Sequence, residues 1–210
     1  MLALFKQGGW VMYPILLFSI ISIAAILERT VFYFLSRARS INAVENLEAF
    51  RKEYGDWKGA AKRFAEKHRR VFFLPLVAAY FEALDKEQHL FEEHLFAQAK
   101  EIVMLNERRL PILASVASIA PLLGLFGTVL GMIEVFQRLA ALGGRADVAL
   151  LSGGIWVALL TTAFGLLVAI PTLLAHHYFL RLVNGRSDYM ELLISRLNVL
   201  TGKGSGEKQI

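Results

Sequence analysis

The sequence predicts an all-α membrane protein with three transmembrane helices and long cytoplasmic helical extensions. Three observations carry that expectation. Apolar residues are clumped rather than dispersed, charge is nearly absent from three stretches, and lysine and arginine crowd the segment between the first two of them. Of 210 residues, 56% are hydrophobic, against about 45–50% in an ordinary soluble domain. The formal net charge of +5 does not point to nucleic acid, because basic residues are mixed with acidic ones and membrane topology explains the bias. The absence of cysteine excludes disulfides, thiolate metal sites and cysteine catalysis.

Each stretch meets the length of roughly 20 mainly apolar residues that a bilayer crossing needs. The first runs from Trp10 to Phe34, the second from Ile112 to Phe136 with no charge before Glu134, and the third from Leu151 to His176. Trp10, Tyr13 and Tyr178 stand at span ends, where amphipathic rings prefer the interface. Lys6 followed by an apolar run resembles a secretory signal. The run from Val11 to Leu27 instead meets Glu28-Arg29 with no small-residue cleavage pattern, and apolar residues resume from Val31. A retained anchor is therefore expected.

The polar segment from Ser36 to Arg109 holds most of the lysine and arginine, whereas the other side has only Lys6, Arg138 and Arg145. Cytoplasmic flanks are rich in these residues. The polar segment and the C-terminal tail are thus expected in the cytoplasm, and the N-terminus and the turn from Ala140 to Ala149 outside. That short turn, with Gly143-Gly144, makes spans two and three an antiparallel hairpin. The expected divisions are 1–35, 36–110, 111–137, 138–150, 151–178 and 179–210.

The cytoplasmic segment reads as helices over Asn42–Tyr54 and Trp57–Arg70, with an apolar packing helix over Leu74–Leu84. Phe91, Leu95, Ile102 and Leu105 recur near helical spacing and lead into span two without a glycine. One long helix bent at Pro111 and Pro121 is therefore predicted. Beyond span three, Leu180, Val183, Tyr189, Leu192, Leu193 and Leu197 continue an apolar face among Arg181, Arg186 and Arg196. The tail Gly202–Ile210 is polar and glycine-rich, and disorder is expected there. There is no internal repeat and no P-loop, GxGxxG, HExxH or GxSxG motif. No catalytic constellation and no cofactor is indicated.

Small residues recur on the two later spans. Ala117, Pro121, Gly124, Thr128 and Gly131 fall on one face of span two, and Ala158, Thr161/Thr162, Gly165, Ala169 and Thr172 on one face of span three. Bulky leucines, such as Leu122, Leu125, Leu159 and Leu166, occupy the other faces. Two readings fit. Small residues let helix backbones approach where lipid provides no hydrophobic drive, and they also line pores. A threonine hydroxyl can bond a carbonyl one turn back, or a group from another chain. Ionisable groups inside membranes mark proton relays, yet no span has one at its centre. Glu28-Arg29 reads as a local ion pair near the inner end of span one, and Glu134 as an interfacial group. A proton path through this chain therefore needs a carboxylate from a partner. His176 and His177 point about 100° apart on a helix and cannot chelate one metal as a pair. His89 and His94 read as surface residues.

The run Glu107-Arg108-Arg109-Leu110 through Pro121-Leu122-Leu123-Gly124-Leu125-Phe126-Gly127-Thr128-Val129-Leu130-Gly131-Met132-Ile133 resembles the MotA/TolQ/ExbB proton-channel family. So does Gly153-Gly154-Ile155-Trp156-Val157-Ala158-Leu159-Leu160-Thr161-Thr162-Ala163-Phe164-Gly165-Leu166, closing on Ala169-Ile170-Pro171. The three-span layout is similar to ExbB and TolQ rather than to four-span MotA. The resemblance implies a homo-oligomer, a pentamer by analogy, in the bacterial inner membrane. Spans two and three would line a pore, and an ExbD- or TolR-like protein would place a single helix with an aspartate in it. The work would pass to a TonB- or TolA-like protein, serving outer-membrane transport or envelope integrity. Thr128, Thr162, Thr161, Gly124, Gly131, Ala158 and Gly165 would line the proton pathway, with Thr128 and Thr162 matching the family's channel threonines. One departure stands out: Val157 occupies the position where ExbB and TolQ proteins usually carry glutamate. A natural variant that conducts without that group, an engineered substitution, and a subunit of reduced conduction or a non-conducting scaffold all fit a valine there.

Overall fold

A computed structural model describes residues 9–36, 43–68, 71–141 and 148–203. Over them the chain forms seven helices: α1 (Met12–Leu35), α2 (Ala43–Tyr54), α3 (Trp57–Lys67), α4 (Leu74–Glu82), α5 (Gln88–Glu107), α6 (Leu110–Ala141) and α7 (Val148–Thr201). Three of these, α1, α6 and α7, are long and apolar enough to cross a membrane, so the predicted all-α, three-span class holds. The turn at Gly143-Gly144 and nearly all of the predicted disordered tail lie outside the described residues. Two compact units result. One comprises Met1–Arg29 with Arg109–Phe179, and the other Thr30–Arg108 with Leu180–Ile210.

The first unit packs the start of α1 against α6 and α7. Val11, Met12 and Ile15 meet Val116 and Ala120 of α6 and Val168 and Ala169 of α7. Trp10 sets its ring edge-on to Phe126, with centroids 6.2 Å apart. The bulky side chains point outward: Leu122, Leu125, Leu159 and Leu174 are 57–66% exposed. A surface so apolar suits lipid and neighbouring chains rather than water. Pro121 and Pro171 lie inside α6 and α7 without ending either helix, as membrane helices tolerate.

The second unit is built like a water-soluble domain, with large rings at its centre. Leu47, Phe64, Phe73, Leu76, Tyr80 and Phe91 from α2 to α5 are at most 1% exposed, and Met190, Leu193 and Leu197 of α7 close the core. Gly55, at φ +80°, turns α2 into α3, where Asp56 caps the new helix by accepting from the Gly59 N–H at 3.2 Å. Pro75 starts α4 in the first turn, where its missing N–H has no helical acceptor to lose. The Tyr80 hydroxyl, 2.8 Å from Asn198 Oδ1 and 2.7 Å from Thr201 Oγ1, ties α4 to α7, and burial raises its pKa.

Two expectations need correction. The predicted continuous helix into span two is broken: α5 ends at Glu107, Arg108 is extended (φ −50°, ψ 130°), and Arg109 takes φ +76°. Pro111 therefore sits in the first turn of α6 and starts that helix rather than bending it. Arg109 is a non-glycine residue in the left-handed region, which costs free energy. Its Nε lies 3.0 Å from Glu28 Oε2, and Glu28 Oε1 also accepts from the buried Arg29 at 3.2 Å. The second correction concerns α7 beyond span three. Its buried face is Val183, Met190, Leu193 and Leu197, while Leu192 points outward.

Arg186 shares that buried face, three residues after Val183 and four before Met190. It donates to Asn106 Oδ1 and, at 2.9 Å, to Ser36 Oγ, and it lies over the rings of Tyr33 and Phe72, 4.5 and 4.8 Å from their centroids. Tyr33 in turn donates to the Asn106 carbonyl at 2.9 Å. Burial lowers the Arg186 pKa, yet guanidinium stays charged, so these bonds are charge-assisted.

Candidate channel-lining site

In the antiparallel α6–α7 hairpin, Gly131 lies opposite Ala158, Gly127 opposite Thr161, and Gly124 opposite Gly165 and Thr162. A Cβ built on Gly165 would lie 2.6 Å from the Ala120 carbonyl oxygen, and one on Gly124 2.9 Å from the Thr162 Cα. Backbone meets backbone at both points, which is why these positions are glycine. Thr161 is 1% exposed. Its hydroxyl donates to the Ala158 carbonyl at 2.7 Å and lies 3.2 Å from the Gly124 carbonyl, adding an interhelical contact.

Five of the predicted site residues, Gly124, Gly131, Ala158, Thr161 and Gly165, thus meet in the seam between the two spans. Close packing of the hairpin accounts for their size. Gly127, which the sequence reading passed over, takes the seam place assigned to Thr128. At 124, 127/128 and 131 both registers satisfy helical spacing, so the pattern alone does not choose between Gly127 and Thr128. Thr128 is half-buried beside the seam, and its hydroxyl donates to the Leu125 carbonyl at 2.6 Å.

Thr161 and Thr162 are neighbours in different situations. Thr162 is half-buried, and its hydroxyl oxygen is shielded from solvent without a hydrogen-bond partner. Farther along, Val157 lines a pocket of about 280 Å³ with Gly9, Gly131, Glu134, Val135, Arg138, Gly153 and Gly154. Glu134 and Arg138 form an ion pair one helical turn apart. From Leu110 to Phe179 the sequence has only Glu134 and Asp147 as carboxylates, and Asp147 lies outside the described residues. What remains at mid-depth is hydroxyls and small side chains, able to shape a path and to hydrogen-bond an acid, but not to carry a proton by titration.

A family model described as the MotA/TolQ/ExbB proton channel family matches residues 62–192, well over half of the chain. An ExbB-like biopolymer transport protein of Synechocystis sp. is 30% identical over 199 residues, which covers 93% of this chain and 77% of that one. The biopolymer transport protein exbB1 of Vibrio cholerae is 42% identical over 88 residues, 40% of this chain and 39% of its own. The Tol-Pal system protein TolQ of Haemophilus influenzae is 37% identical over 112 residues, 53% of this chain and 48% of its own. The chain thus spans under half the length of the latter two.

Proposed function

Because this chain belongs to the MotA/TolQ/ExbB proton channel family, a family of membrane channels rather than enzymes, we propose that it is the ExbB-type subunit of an energy-transducing complex in the bacterial inner membrane. It assembles as a homo-oligomer, a pentamer by analogy, with the N-terminus periplasmic and the C-terminus cytoplasmic. An ExbD-like protein supplies one helix with an intramembrane aspartate, and a TonB-like protein carries the work to outer-membrane transport. Support for the ExbB type over the TolQ type comes from two ExbB-like relatives of Synechocystis that align with 93% and 82% of this chain; among the shorter matches, exbB1 at 40% and TolQ at 53% do not separate the two.

The observation that carries the channel reading is the unpartnered Thr162 hydroxyl. In a membrane no water is at hand to satisfy it, and an unmet polar group is costly. A carboxyl group from a partner helix satisfies it once the side chain turns toward the half-exposed face. Thr128, on the matching face of α6, and Val157, five residues before Thr162, shape the same path. Thr161, Gly124, Gly131, Ala158 and Gly165 hold the two walls together behind it.

The test is co-expression with the ExbD-like partner and reconstitution into vesicles bearing a pH gradient. The complex dissipates the gradient, and exchange of the partner's aspartate for asparagine abolishes the flux. Thr162→Val lowers it with assembly intact. Flux indifferent to the aspartate contradicts the mechanism. A non-conducting scaffold, the reading that Val157 favours, is supported if Thr128→Val and Thr162→Val leave cell-level function intact.

A further inference from the structure

Glu134 is the single described carboxylate on the two spans between Leu110 and Phe179, and it stands in a pocket rather than on a featureless helix face. Gly131 of α6 and Gly153 and Gly154 of α7 wall that pocket without side chains, and Gly153 has nothing within 4 Å of where a Cβ would stand. The volume of about 280 Å³ holds several waters, at about 30 Å³ each. Among the described residues the only charged group that faces Glu134 there is Arg138, from the same helix. Gly153, Gly154 and Val157 of α7 and Gly9 before α1 add none. An ion pair one turn apart with both side chains about 60% exposed is weak and opens readily. Ionisable groups in apolar spans mark ion and proton pathways.

We propose that Glu134 is the proton-loading carboxylate of this chain, poised by Arg138 at the outer mouth of the hairpin; this rests on the channel reading above. Glu134 takes a proton from hydronium in the pocket. An O–H bond forms on the carboxylate, one O–H bond of hydronium breaks to leave water, and the pair with Arg138 opens. The proton then passes to the carboxylate of the single-span partner, and the ion pair re-forms. Val157 lines the same pocket from the other helix, so a carboxylate there would serve the same water-filled space. This accounts for a working channel with valine at 157.

The experiment uses the reconstituted complex with its partner and follows proton flux down a pH gradient. Glu134→Gln keeps shape and loses the titrating group. Flux is expected to fall by about tenfold, equivalent to about 1.4 kcal/mol in barrier. Adding Val157→Glu to that variant is expected to restore at least half of it. Arg138→Gln is expected to change flux while leaving assembly with the partner intact. Flux within twofold of the unaltered complex in Glu134→Gln overturns the proposal, as does a loss that Val157→Glu fails to restore. If Glu134→Gln is silent while the partner's aspartate remains essential, this proposal fails alone. If the unaltered complex passes no protons, the channel reading falls and this proposal with it.

Discussion

In the unit of residues 1–29 and 109–179 the spans meet backbone to backbone, Gly165 against Ala120 and Gly124 against Thr162. In the unit of residues 30–108 and 180–210 the helices meet ring to ring. Tyr80 and Phe91 meet edge-on with centroids 5.1 Å apart, and Phe73 and Tyr189 lie 5.0 Å apart. The two solvents explain the difference. In water, burying a large side chain stabilises in proportion to its apolar area, so bulk belongs inside. In lipid that gain disappears, and helices associate through close van der Waals fit and a few hydrogen bonds. Bulk then belongs outside and glycine inside. The same chain follows both rules, and α1 and α7 each contribute residues to both units.

The comparison can be broken most strongly in the ring-packed unit. Phe73→Ala should destabilise by about 3–5 kcal/mol, read as a lower unfolding temperature of the full chain in detergent by circular dichroism. Leu174→Ala, on an outward side chain of the other unit, should leave that temperature unchanged. Next is the seam. Gly165→Ala forces a Cβ against the Ala120 carbonyl and should cost about 1–3 kcal/mol, whereas Gly153→Ala has open space and should be neutral. Unfolding in graded dodecyl sulfate compares the two. Thr161→Val removes the hydroxyl that faces the Gly124 carbonyl and should cost about 1 kcal/mol in the same assay.

The smallest effect concerns pH. His68 packs against Phe64 with the rings tilted and their centroids 4.8 Å apart, and its Nε2 is buried without a hydrogen-bond partner. Burial, and secondarily the adjacent Lys67, lowers its pKa. A histidine with a lowered folded pKa contributes stability that is complete above the unfolded value of about 6.5 and is lost as pH falls through the folded one. Thermal stability should therefore decline on acidification below that value. His68→Gln should flatten that decline, and an unchanged slope would remove His68 from the account.

The spans were legible because charge is so costly in a bilayer that its absence over twenty residues has few other meanings. The seam was legible to within one residue. Small residues three and four apart mark a packed face, but whether Gly127 or Thr128, and Thr161 or Thr162, points inward depends on helix rotation, which the partner helix sets. The break at Arg108-Arg109 is hard to read in the sequence because neither residue is glycine or proline. The available signal was Pro111, more at home in a first turn than inside a helix. In the sequence Arg186 is one of several charges beside the apolar face. Its position three after Val183 and four before Met190 places it on that face, although only the structure supplies Asn106, Ser36, Tyr33 and Phe72 to receive it.

The Gly124–Gly165 contact has a mechanical consequence. Meshed side chains give a joint some compliance, because rotamers can yield. Two backbones in contact, with an oxygen where any added carbon would collide, have almost none. A screw motion of one residue along the seam, about 1.5 Å of helix rise with about 100° of turn, would set Leu123 or Leu125 where Gly124 now stands, and the helices would have to part. Spans two and three therefore move as one stiff piece. Any bending of this unit must be taken up at joints outside this hairpin.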